Sequence, residues 1–251
     1  MCDRVVSGIL ARSRPSHVAV SERRVVIAID GPAASGKSST AQWVARRLSY
    51  FHVDSGSLYR AATAAQLHGG RDPETWSEDE VLGATGRISF VGTNGEFSPL
   101  IDGAPCDEQL RSPEVTRGVS RVAQMPRIRA WVNDQVRRAA ESHDVVVDGR
   151  DIGTVVFPRA DLKVFLVADP WERARRRLIQ RLGRHPNDSE IAEETDLLVH
   201  RDAKDATQTV QATDAVLIDT TSLTQEDQVE RIVALARAVT QRPSDTSLAD
   251  E

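Results

Sequence analysis

The run Arg24–Asp30 (RVVIAID) breaks into Gly31-Pro32-Ala33-Ala34-Ser35-Gly36-Lys37-Ser38, and Ala41, Val44, Ala45 and Leu48 then recur at i, i+3, i+4 and i+7. The first run is β-branched and suits a strand covered on both faces, while the last is the apolar stripe of an amphipathic helix. The segment between them matches G-x-x-x-x-G-K-S/T in the strand-to-helix setting that motif requires. Its glycines let the backbone wrap closely, so that successive N–H groups point at one anion and the helix N-terminus adds its positive end. Lys37 is placed to reach β- and γ-phosphates, and the Ser38 hydroxyl to ligate Mg²⁺. The expected ATP-binding set is Gly31, Pro32, Ala33, Ala34, Ser35, Gly36, Lys37, Ser38 and Ser39. Lysine occurs elsewhere only at Lys163 and Lys204, arginine supplying the other basic residues. Lys37 therefore stands out in a chain that otherwise prefers a fork-shaped cation.

Strand and helix signals alternate along the rest of the chain. Short buried-type runs at 51–54 (FHVD), 145–147 (VVV), 162–167 (LKVFLV) and 215–218 (AVLI) read as strands. Segments 57–68, 170–182 and 224–240 read as helices, with another beyond the break GRHPND at 183–188. Such alternation implies a parallel sheet covered on both faces, five strands in all. Between 86 and 103 the texture changes, and Asn94-Gly95 between β-favouring runs marks an antiparallel hairpin. Ser112-Pro113-Glu114 is an N-cap followed by a first-turn proline.

Composition narrows the classes. The 251 residues carry 32 Lys+Arg against 37 Asp+Glu, a formal net charge of −5. That acidity argues against a dedicated nucleic-acid binder, which needs a basic face, and 4% aromatic residues argue against stacking platforms. No apolar run of about 20 residues spans a membrane. Cys2 and Cys106 make neither a disulfide framework nor a metal site, and a cytoplasmic setting is expected. Residues 1–22 show no sustained period. They fit an extension, an overcalled start or a transit-like segment, and a disordered extension is the expectation. A single domain is expected over 23–241, with its core at 23–69 and 141–241, an insertion at about 70–140, a lid at about 173–200 and a loose tail at 242–251.

Two further segments carry chemistry. Asp54-Ser55-Gly56-Ser57-Leu58-Tyr59-Arg60 places a hydroxyl and an arginine five positions apart at a strand-to-helix junction, able to hold a second phosphate or simply to cap a helix at Ser57. Asp148-Gly149-Arg150-Asp151 puts two carboxylates and a guanidinium at the carboxyl edge of the sheet, where open α/β sheets bind ligands. No guanine-reading N-K-x-D is present, which removes the switch GTPases. Arg173, Arg177 and Arg181 share one helix face. In a lid stem, Arg173 and Arg177 are the candidate clamps on a transferring phosphoryl group.

With these segments in place, the chain resembles the bacterial cytidylate kinases. The resemblance is carried by GPAASGKSS, VDSGSLYRA, DGRDIGTVVFP, FLVADPWERARRR and AVLIDTTSLT, in the family's order from residue 25 to about 240. It implies a three-layer P-loop α/β fold with a five-stranded parallel sheet, a lid, and an inserted monophosphate-binding region containing the hairpin. It implies ATP and CMP or dCMP as substrates of a monomer that uses Mg²⁺. By the same resemblance, Ser55, Arg60 and Arg150 hold the CMP phosphate, Ser120, Arg129 and Asp151 read the cytosine, and Arg201 and Asp205 contact the ribose. Mg²⁺ is expected on Ser38, with Asp148 or Asp30 acting through water. The chain departs from the family pattern R-D-x-x-D-x-x-R, where Gln208 replaces the last arginine and the connection 209–213 lacks a Pro-Leu pair. A weaker hold on the acceptor phosphate is the expected consequence. A kinase for another small acceptor, and a nucleotide-binding regulator that transfers nothing, remain the rival readings.

Overall fold

Ile27 and Ile29 face one layer of helices and Ala28 the other, which is why the strand that opens the chain's core is apolar throughout. The computed structural model describes residues 23–67 and 72–240, so the expected extension 1–22 and tail 242–251 lie outside the described residues. In chain order the elements are β1 (Val26–Asp30), α1 (Lys37–Leu48), β2 (Phe51–Asp54), α2 (Ser55–Leu67), α3 (Glu78–Ala84), β3 (Ile88–Thr93), β4 (Glu96–Ile101), β5 (Ala104–Pro105), α4 (Asp107–Leu110), α5 (Pro113–Val122), α6 (Pro126–Ser142), β6 (Val145–Gly149), β7 (Leu162–Val167), α7 (Pro170–Leu182), α8 (Asp188–Asp205), β8 (Val216–Asp219) and α9 (Gln225–Thr240). Among the described residues no helix is long and apolar enough to cross a membrane.

The sheet runs β3-β4-β2-β6-β1-β7-β8, with β5 beside β4. β2, β6, β1, β7 and β8 are mutually parallel, the five strands expected from the pattern. The hairpin is more tightly integrated than its sequence suggests. β4 pairs parallel with β2, so the hairpin extends the central sheet to a sixth parallel strand, and β3 and β5 flank it antiparallel. Asn94 and Gly95 both hold positive φ at the turn, 53° and 79°, the conformation a two-residue hairpin of this hand demands.

Helices α2, α3, α5 and α6 cover one face, around Val53, Leu58, Trp76, Val132, Val145 and Val147. Helices α1 and α9 cover the other, around Val44, Val146, Val164, Leu166 and Ile232. Helices α7 and α8 form a hairpin whose Ala174, Leu178, Ile191 and Leu198 pack on Ala33 of the P-loop. Ser112 caps α5 as its sequence implies, its hydroxyl accepting from the Val115 N–H at 3.2 Å. At α2 the cap lies three residues earlier than Ser57. The Asp54 carboxylate accepts the Ser57 N–H at 3.2 Å, and the Ser57 hydroxyl turns back to the Asp54 carbonyl at 2.6 Å.

β1, β2 and β6 carry Asp30, Asp54 and Asp148 at the same carboxyl edge, with Asp54 opposite Asp148 in register. The P-loop leaves β1 at this edge. Gly31 has φ 151°, and a Cβ built on it would stand 2.2 Å from the Leu166 carbonyl oxygen of β7. No side chain fits there without displacing a sheet strand. Gly31→Ala is accordingly expected to destabilise the fold by about 1–3 kcal/mol. Denaturant unfolding reads this directly, and an unchanged midpoint with an unchanged slope would contradict it.

Candidate active site

The P-loop divides into a buried side and an open side. Ala34, Ser35, Gly36, Lys37, Ser38 and Ser39 line a cavity walled opposite by Arg175, Arg176 and Arg177 of α7 and by residues 221–225. Gly31, Pro32 and Ala33 stand behind it and brace the loop. The Gly31 carbonyl accepts from Arg150 Nη1 at 3.0 Å, the Pro32 carbonyl from Lys37 Nζ at 2.8 Å, and the Ala33 carbonyl from Arg173 Nη1 at 2.8 Å. Burial first, and Arg150 second, hold the Lys37 ammonium down to about 7, against the opposing pull of Asp148, Asp30 and Asp54. A buried cation beside a second cation is poised to accept a polyanion.

Behind the loop sits Asp148, 2% exposed. One of its carboxylate oxygens accepts from the Ser38 hydroxyl at 2.6 Å, and the other faces His52 Nε2 at 2.8 Å. His52 Nδ1 lies 3.6 Å from Glu96 Oε1 on β4, which ties the hairpin to the site. Burial pulls the His52 imidazole down, but Asp148, Glu96 and Asp54 together outweigh it and push the group up to about 10, so it is charged at neutral pH. Nothing in the sequence pattern marked His52, because its carboxylates come from strands 44 and 96 residues away.

Asp30 is engaged with the loop after β6, where its two oxygens accept the N–H groups of Ile152 at 2.9 Å and Gly153 at 2.7 Å. Burial still pushes it up to about 6, those two backbone donors opposing the shift. The chemistry available to a divalent cation is therefore the Ser38 hydroxyl and the Asp148 carboxylate. Among the described residues no group of three His, Cys, Asp or Glu side chains could hold a metal by itself. One hydroxyl and one carboxylate fit an ion that brings most of its oxygen ligands as water and phosphate, the usual arrangement for Mg²⁺.

A second cavity opens at the sheet edge and shares Lys37, Ser38 and Asp54 with the first as a common wall. It brings together Ser55, Arg60, Ser120, Arg129, Arg150, Asp151, Arg201 and Asp205, although they are drawn from α2, α5, α6, α8 and the loop after β6. At one end Arg60 pairs with Asp54 at 2.5 Å and Arg150 with Asp205 at 3.0 Å, and the Ser55 hydroxyl donates to the Asp148 carbonyl at 2.8 Å. Arg201 lies 3.8 Å from Asp205 with its Nε unpartnered. Burial, then Arg150, with lesser repulsion from Arg177 and Arg60, lowers its pKa, Asp205 opposing. At the other end the Arg129 guanidinium is paired to Asp151 and donates to Gln208 Oε1 at 2.8 Å. Burial raises the Asp151 carboxyl despite that arginine. Gln208 is thus engaged by Arg129 and makes no hydrogen bond to Ser55, Arg60 or Arg150.

The two candidate clamps occupy different environments. Arg177 lines the P-loop cavity and pairs with buried Glu194 at 2.8 Å. Arg173, 4% exposed, lines neither cavity, and its guanidinium is consumed by Ala33, Ala168 and Asp202, the last at 2.6 Å. This corrects the expectation of a paired clamp. Arg173 lies one turn nearer the start of α7, where it points under the P-loop instead of across its mouth.

The family model and the named relatives agree on one family. The model described as "Cytidylate kinase" matches residues 27–238. A protein of Geobacillus thermodenitrificans named cytidylate kinase is 41% identical over 227 residues, covering 85% of this chain and 97% of its own. Namesakes from Limosilactobacillus reuteri and Lactiplantibacillus plantarum are 39% and 37% identical, covering 82% and 90% of this chain and 92% and 100% of theirs.

The His52 geometry makes a signed prediction about pH. A histidine whose folded pKa lies above its unfolded value of about 6.5 contributes stability that is complete below that value and is lost as pH rises through the folded pKa. The stability difference between wild type and His52→Leu is therefore expected to be largest near pH 6 and to shrink steadily towards pH 10. Urea unfolding of both proteins at five pH values measures it, and a difference that grows with pH would contradict the assignment.

Proposed function

The chain belongs to the cytidylate kinase family, and on that premise we propose that it transfers the γ-phosphoryl group of ATP directly, in line, to the phosphate of CMP or dCMP. The observation that carries this reading is the wall of Lys37, Ser38 and Asp54 common to two cavities. Donor and acceptor phosphates placed on either side of it meet over the P-loop lysine. No covalent intermediate is required, so catalysis reduces to bringing two polyanions together and stabilising the charge that spreads during transfer.

The residues divide the work. ATP lies along Ala34–Ser39, with Gly31, Pro32 and Ala33 fixing the loop from behind. Lys37 follows the transferring group as a point charge, and Arg177 leaves Glu194 to meet it when the α7–α8 hairpin closes. Arg173 is assigned a positioning role, holding Ala33. Ser38 and Asp148 would hold Mg²⁺, which when bound would neutralise charge on the donor phosphates. On the acceptor side Ser55, Arg60 and Arg150 take the CMP phosphate, exchanging the Asp54 and Asp205 carboxylates for it, and Arg201 and Asp205 take the ribose. Ser120, Arg129 and Asp151 read the base. An ionised Asp151 accepts from the 4-amino group of cytosine, while uracil presents a carbonyl there and leaves the carboxylate unpaired, a mismatch that discriminates strongly.

The test is a coupled assay of ADP release with CMP, dCMP, UMP and AMP. CMP and dCMP are expected to be the preferred acceptors, and a preference for AMP or UMP, or ATP binding without acceptor-dependent ADP release, would overturn the reading. Two variants probe the parts. Lys37→Arg is expected to lose more than about tenfold in kcat, or 1.4 kcal/mol in the barrier, because the planar fork does not replace a compact ammonium. Asp151→Asn is expected to lower the CMP/UMP ratio of kcat/KM with little change in KM for ATP, since the amide can turn its NH₂ towards the uracil carbonyl.

A further inference from the structure

Helix α6 buries Ile128, Val132, Val136, Ala139 and Ala140, and amid this apolar stripe stands Asn133. It is 9% exposed, lines the sheet-edge cavity, and makes no hydrogen bond to any described residue. A carboxamide on the buried stripe that faces the cavity with no protein partner breaks the local rule that α6 otherwise follows. Such breaks are expected where a ligand supplies the missing partner.

Its position says which part of a ligand that is. Asn133 follows Arg129 by four residues and shares its helix face. Arg129 reaches Asp151 and Gln208, the end of the cavity remote from the cluster of Ser55, Arg60 and Arg150. Tyr59, Val119, Ala123 and Ile152 also line this cavity, and apolar walls with a few polar groups are the usual setting for a planar heterocycle. The carboxamide carries both a donor and an acceptor and interchanges them by rotation, so it suits the mixed polar edge of a pyrimidine better than a phosphate.

We infer that Asn133 is a base-contacting residue of the acceptor site, completing with Arg129 and Asp151 the set that hydrogen-bonds the pyrimidine. The inference rests on the CMP-binding reading and extends it to a residue outside the motifs that suggested that reading. It also assigns a reason to the buried amide. The group has no protein partner of its own and gains one in the complex.

The experiment compares wild type, Asn133→Leu and Asn133→Ala, the second variant removing the amide without adding bulk. Binding of CMP is measured by calorimetry, and ribose 5-phosphate, which has the sugar and phosphate but no base, is measured by its competition with CMP. Both variants are expected to bind CMP about tenfold more weakly, a change of about 1.4 kcal/mol. Ribose 5-phosphate affinity and KM for ATP should be unchanged, and ligand-free Asn133→Leu should melt no lower than wild type. Weakening of CMP by at least threefold relative to ribose 5-phosphate supports the contact. A smaller relative change, including equal weakening of both ligands, overturns it. Failure of the wild type to bind CMP would overturn the functional reading and this inference together, whereas wild-type binding with an unmoved ratio in the variants overturns this inference alone.

Discussion

A carboxylate removed from water must be paired and hydrogen-bonded on its accessible oxygens, because leaving it bare costs several kcal/mol. In this chain that requirement falls on Asp148, at the end of a central strand. Ser38 satisfies one oxygen and His52 the other, while the Ser55 hydroxyl closes on the carbonyl of the same residue. The three partners belong to the first turn of α1, to β2 and to the first turn of α2, so one residue's side chain and carbonyl together tie down where two helices begin. Asp30 plays the matching part on the neighbouring strand. By holding the N–H groups of Ile152 and Gly153 it sets the loop from which Arg150 and Asp151 project. The P-loop and the acceptor pocket are thereby located relative to each other by the sheet itself and not by any flexible connection.

Around this frame the chain accumulates more cation than its own acids can settle. Lys37, Arg60, Arg150 and Arg201 line the acceptor cavity, and Arg177 stands across the mouth of the P-loop. In the free protein Asp54, Asp205 and Glu194 engage three of these arginines. Lys37 and Arg201 stay depressed by burial and by their cationic neighbours. Two phosphate chains are the ligands that such a field favours, and preorganised positive charge is what stabilises the spreading charge of phosphoryl transfer. The acidic total of the protein conceals this, since net charge reports nothing about where the arginines converge.

Much of this was legible in the residues. The strand before the P-loop, the Asn94-Gly95 turn, the Ser112 cap and the extent of α7 follow from local patterns, because each depends on neighbours a few positions away. The eight residues ascribed to the acceptor site do line one cavity. What escaped the sequence depends on long-range pairing. The junction of β4 with β2 joins segments some 44 residues apart and brings Glu96 to His52. Arg173 and Arg177 share a helix face in the pattern, yet one turn of rise along α7 separates a brace beneath the loop from a group at its mouth. Asn133 carries no local signal, because its burial depends on how α6 packs. The bond between Gln208 and Arg129 joins segments 79 residues apart.

Under the proposed mechanism the two cavities form one continuous channel in which donor and acceptor phosphates meet in line over Lys37. A single molecule joining adenosine and cytidine through five phosphates spans both cavities only if that is true. Equilibrium binding and inhibition kinetics with this compound test it most directly. Competition with both ATP and CMP is expected, with an affinity at least a hundredfold above that of either substrate, about 2.7 kcal/mol. Competition with only one substrate, or binding no tighter than ATP alone, would contradict it.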